Sequence, residues 1–157
     1  MTESRIELVR SLVEGFSEVD FASFRDGLAE AESMEAVASM GGFGELVRDV
    51  IDPSVEIQVH AVGLGSMVGR DFHGWKGWLD FWRSWLEPWE DYSVAYSRWE
   101  EVGDTVLLRL DIRARGRGSG IEVTGQITQA WTVQEGKVIR LGIYASRRRA
   151  LADLGQD

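Results

Sequence analysis

Trp75, Trp78, Trp82, Trp85 and Trp89 recur at alternating steps of three and four residues, which on an α-helix gathers five indoles within an arc of about 80°. A stripe of that bulk needs a large apolar partner. From Tyr92 to Tyr144 the chain supplies one, in long stretches of Val, Ile, Leu and Thr broken only by short glycine-bearing turns, the profile of a sheet. The sequence therefore predicts a helix pressed on a curved sheet. Its aromatic stripe either fills a core or lines a cavity, and function turns on that choice.

At 157 residues the chain suits one domain, spanning 1–157. Its 26 acidic against 17 basic residues give a net charge of −9, which argues against a nucleic acid or an anionic membrane as main partner. Arg113, Arg115 and Arg117, and Arg147 to Arg149, are local exceptions. There is no cysteine, so disulfides, thiolate metal sites and thiol catalysis are excluded. The opening residues lack the profile of a secretory signal, and no stretch has the length of a membrane span; the expectation is a soluble cytoplasmic protein.

Local patterns place the other elements. Ser4 with Glu7 forms a capping box, and Ile6, Val9, Val13 and Phe16 mark one face of a helix over 4–18. Asp20 caps a second helix carrying Phe21, Phe24 and Leu28. Ser33 caps a short helix from Met34 to Met40, stopped by Gly41 and Gly42, and a further helical piece runs from Phe43 to Ile51. Val55, Ile57 and Val59 alternate with Glu56, Gln58 and His60 as in a half-buried strand. Gly63 to Gly69 reads as a loop without a phosphate-binding fingerprint. The tryptophan helix runs from Gly74, with His73 at its start, to Glu87, where Pro88 ends it. Strands follow at Tyr92–Val102, Thr105–Gly116, Ile121–Gln134 and Lys137–Ala145, joined by hairpins, and a helix from Arg147 to Leu154 comes last.

Helices first, one strand, a tryptophan-bearing helix and then a four-strand meander resembles the SnoaL-like branch of the nuclear transport factor 2-like superfamily. The stretches Ile6 to Phe16, Asp52-Pro-Ser-Val-Glu56, Trp85-Leu-Glu-Pro-Trp89 and Ala130 to Arg140 carry the resemblance. It implies an α+β cone-shaped roll, with a curved, mostly antiparallel sheet wrapped around the N-terminal helices and the tryptophan helix. It also implies an apolar pocket and a homodimer formed through sheet surfaces. Members include isomerases, cyclases, dehydratases and epoxide hydrolases, so the fold alone does not give the function. The segment from about 30 to 50 is longer than usual and is expected to be helical, a lid over the pocket mouth.

Arg109, Asp111 and Arg113 share one strand face, with Leu108, Leu110 and Ile112 on the other. Arg109-Leu-Asp111 resembles the Arg-x-Asp of limonene epoxide hydrolase, which makes Asp111 a candidate base and Arg109 its partner, both pointing into the pocket. The resemblance puts the second carboxylate of that machinery at Ile143, so only half of it is present. The plainer reading of the pair is an ion-pair ladder on an outer sheet surface. Gln129 is in phase with Ile127 and Trp131 and is a candidate to orient a ligand, or equally to make a cross-strand hydrogen bond. His60 beside Glu56 is a candidate acid or base, or simply a surface histidine. Two isolated histidines give no metal site, and no cofactor is expected. The expected site is a pocket for a small, largely apolar molecule, lined by Trp78, Trp82, Trp85, Ile127, Gln129, Trp131, His60 and Ile143, and enzyme or binder is left open. The alternative is a non-catalytic dimerisation or interaction domain with a packed interior.

Overall fold

The computed structural model describes residues 4–60 and 71–155; the expected loop from Gly63 to Gly69 lies outside them. Four helices come first, α1 (Arg5–Glu18), α2 (Phe21–Glu30), α3 (Met34–Ala38) and α4 (Gly42–Val50), followed by β1 (Ile51–Val59), β2 (Asp71–His73) and α5 (Gly74–Leu86). Strands β3 (Trp89–Val102), β4 (Thr105–Gly116), β5 (Glu122–Gln134) and β6 (Lys137–Tyr144) precede α6 (Arg147–Asp153). Side-chain oxygens of Ser4, Asp20, Ser33 and Ser146 each take an amide of the turn they open, so four helix starts rest on local chemistry.

The strands form one open, curved sheet in the order β2-β1-β6-β5-β4-β3. The meander from β3 to β6 is antiparallel throughout, whereas β1 lies parallel to β6, with Ile57 opposite Leu141. On β4, Val106, Leu108, Leu110, Ile112 and Ala114 face inward and are buried with the helices α1 to α5. The edge strand β3 has two register shifts, one between Ser97 and Glu100 where Arg98 has φ 56°. Such bulges bend a strand and sharpen its twist.

Helix α5 buries Trp78, Leu79, Phe81, Trp85 and Leu86 against this inner face, and Phe81 is fully buried. Removing such a ring from water contributes about 1.5–3 kcal/mol. Gly77 makes the contact close, because a Cβ there would meet the Phe72 carbonyl carbon at 2.9 Å. Trp89 is not on the helix: Pro88 ends α5 and Trp89 opens β3. His73 stands at the start of the helix, as its N-cap, and is also the last residue of the short strand β2, paired with Glu56. Helix α6 packs on the opposite, outer face, over Leu107, Ala130 and Tyr144. None of the described helices is long and apolar enough to cross a membrane.

Candidate functional site

Between α5 and the inner sheet face lies a partly open apolar cavity of about 70 Å³. A chain of rings runs along it: Trp131 to Trp78 at 6.1 Å, Trp78 to Trp82 at 5.8 Å, Trp82 to Phe16 at 6.5 Å and Phe16 to Tyr92 at 6.1 Å. The sheet side adds Val94, Tyr96, Leu110 and Gln129. The opposite wall comes from α2 with Phe24 and Leu28, α3 with Val37, and α4 with Phe43 and Val47. Within the 30–50 segment, α3 and α4 form part of that wall.

Two arginines tie the wall down. Arg83 of α5 donates from Nε to the Leu28 carbonyl at 3.2 Å and from Nη2 to the Ala31 carbonyl, where α2 ends. Arg25 of α2 donates from Nη1 to the Trp89 carbonyl at 2.7 Å. Each guanidinium adds a donor to carbonyls at a helix end or a strand start, where backbone partners are fewer.

No charged side chain lines the cavity. Its polar atoms come from tyrosines, tryptophans and one amide. Trp131 Nε1 donates to Gln129 Oε1 at 2.9 Å, and the Gln129 amide nitrogen has no hydrogen-bond partner among the described residues. Trp85 Nε1 donates to the Tyr92 hydroxyl at 3.0 Å. The Tyr96 hydroxyl donates to the Val13 carbonyl at 3.0 Å. Trp82 Nε1 is buried without a partner. Burial pushes the Tyr92 phenol far above its ordinary value, so it stays a neutral donor across the working pH range.

Of the residues expected at the site, Trp78, Trp82, Gln129 and Trp131 line the cavity. Trp85, Ile127 and Ile143 are buried in the core but do not line it. His60 is outside, stacked on the Tyr144 ring at 4.8 Å on the outer face. Arg109 and Asp111 are placed differently from the expectation that they point inward. Their ion pair, Nη2 to Oδ1 at 3.1 Å, lies on the outer face with side chains 32% and 42% exposed. The reason is alternation: Leu108, Leu110 and Ile112 take the inner face, and the residues between them must point out. Asp111 instead borders a shallow outer depression of about 690 Å³ with Ser93, Ala95, Arg113, Thr124 and Gln126. Among the described residues no group of acidic, histidine or cysteine side chains could hold a metal ion.

Phe16, Phe24, Phe43, Tyr92, Val94 and Tyr96 also line the cavity, beyond the residues expected there. Tyr92, Val94 and Tyr96 carried a usable signal, the period-two phase of their strand. The three phenylalanines carried none, since only the packing of α1, α2 and α4 brings them together, with Phe24 and Phe43 at 5.4 Å.

A model of the SnoaL-like domain matches residues 31–141. Comparison with curated proteins finds no match. Among solved structures the chain is similar to a nuclear transport factor 2-like protein of unknown function from Burkholderia pseudomallei K96243, at TM-score 0.63 and 15% identity over 96% of this chain and 97% of that one. It is also similar to a putative SnoaL-like polyketide cyclase from Jannaschia sp. CCS1, at TM-score 0.61 and 14% identity over 97% and 95%. A third is TerC co-crystallised with polyporic acid, at TM-score 0.57 and 19% identity over 96% of each chain. At such identities the likeness is one of fold.

Proposed function

Because the chain belongs to the SnoaL-like domain family, we propose that it binds a small, largely apolar molecule in the ring-lined cavity between α5 and the sheet. The observation that carries this reading is a recessed space with aromatic walls, unspent hydrogen-bond donors and no charged lining side chain. Ligand sites combine apolar walls with a few polar groups in this way. Their usual volume is about 300–1,000 Å³, so a cavity of about 70 Å³ admits a ligand only when its wall yields. The wall that yields is α2 to α4, with the segment 31–50 acting as lid. The protein works in the cytoplasm, as a dimer whose second copy sits on the outer sheet face, where Ser93, Ala95 and Thr124 leave a shallow depression.

The smallness of the cavity favours a second reading, an interaction domain whose interior is simply packed. Native mass spectrometry of the purified protein, followed by titration with cumene, separates the two. Ligand binding predicts a co-purified small molecule or saturable cumene uptake, with a dimer mass. A bare chain that takes up no cumene at any concentration overturns the first reading and leaves the second.

A further inference from the structure

The hydrogen-bond ledger of the cavity wall is unbalanced. Gln129 Oε1 already receives the Trp131 proton, yet the amide nitrogen beside it has no acceptor among the described residues. The Tyr92 oxygen receives the Trp85 proton, and its own proton has no acceptor among them either. Trp82 Nε1 is a third buried donor without a partner. The Tyr96 proton is spent on the Val13 carbonyl, and the Tyr96 oxygen faces the Ser17 hydroxyl at 3.4 Å. Each side-chain oxygen in the wall is thus already engaged, whereas three donors are not. Buried polar groups are ordinarily paired, and an unpaired one forfeits the bond it made to water.

The donors are also spread along the slot. Gln129 sits opposite Leu108 of β4, and Tyr92 sits opposite Ala114, nearer the other end of that strand. A carboxylate in this space would face no cation and would lose its hydration without compensation. An amine would bring more donors to a wall that lacks acceptors.

Resting on the reading of this cavity as a ligand site, we infer that its ligand is uncharged and presents a hydrogen-bond-accepting oxygen, of the ketone, ester or quinone kind, to Gln129 and Tyr92. The carbonyl takes the free Gln129 amide proton at one end of the slot, and a second acceptor meets the Tyr92 hydroxyl at the other. The aromatic walls recognise the flat body between them.

Four probes matched in number of non-hydrogen atoms test this: cumene, acetophenone, 1-phenylethanol and benzoate. Calorimetry gives their affinities, and nuclear magnetic resonance follows the indole N–H signals of Trp131 and Trp85. Acetophenone is expected to bind roughly three- to tenfold more tightly than cumene, the scale of one net hydrogen bond. 1-Phenylethanol should bind more weakly than acetophenone, and benzoate not at all. Acetophenone, but not cumene, should move the Trp131 indole signal, because the Gln129 amide links the two. Gln129→Met should bring acetophenone, whose single carbonyl meets that amide, towards cumene while leaving cumene unchanged. If Gln129→Met does not fold, the wild-type series and the Trp131 indole signal still decide. Equal affinity for cumene and acetophenone, or a preference for 1-phenylethanol or benzoate, overturns the inference while the cavity remains a ligand site. Failure of all four to bind overturns both.

Discussion

Arg109 and Asp111 meet at 3.1 Å on the outer sheet face, half-exposed, where solvent screens the pair and its net worth is small. Asp111→Asn should therefore shift the melting temperature by no more than about 2 °C and leave cumene uptake unchanged, as thermal melts and titration will report. Tyr92 is the contrasting residue. Its hydroxyl is the acceptor for the buried Trp85 indole, so Tyr92→Phe strands a donor and should cost about 1–3 kcal/mol. A calorimetric scan should place that melt several degrees lower. At this scale the sequence was readable where phase decides the outcome. Trp78, Trp82, Gln129 and Trp131 all share the face their spacing assigns them. The same phase, with Leu108 and Leu110 inward, already required Asp111 to face out, and its chemical appeal pulled against that geometry.

Among the elements, α3 and α4 are the most closely joined part of the cavity wall. A Cβ on Gly44 would stand 1.9 Å from the Val37 carbonyl oxygen, whereas one on Gly42 meets nothing within 4 Å. Gly44→Ala must push the two helices apart and should destabilise by about 1–3 kcal/mol. Gly42→Ala should be neutral or gain up to about 1 kcal/mol. Paired denaturant melts check both, and equal midpoints would contradict the packing described. The helices and the meander were legible in advance because capping residues and periodic apolar positions are local signals. The strand β2 was not, being three residues long, too short for a periodic signal, nor was the parallel pairing of β1 with β6, which joins segments far apart in the chain. Trp89 shows the limit from another side: it keeps the helical spacing of the stripe, but Pro88 turns it into the first residue of β3.

The whole molecule should reveal its packing in its three tyrosines. Burial raises the phenols of Tyr92, Tyr96 and Tyr144, and the Asp153 carboxylate bonded to Tyr144 adds to the effect there. A folded state that holds these protons more tightly than the unfolded chain is stabilised below the ordinary tyrosine range near about 10 and loses that stability as pH climbs through it. Ultraviolet titration should show little tyrosinate until the fold gives way, then all three together. A smooth rise at ordinary values in folded protein would contradict the burial. The central claim, that the cavity between the aromatic helix and the concave sheet is where a small molecule goes, has a more direct test. Val94 lines that cavity, and a phenyl ring in its place occupies the same space. Cumene should bind the wild type saturably and fail to bind Val94→Phe, while the variant melts at or above the wild-type temperature. Equal uptake by both folded proteins, or none by either, would contradict the account.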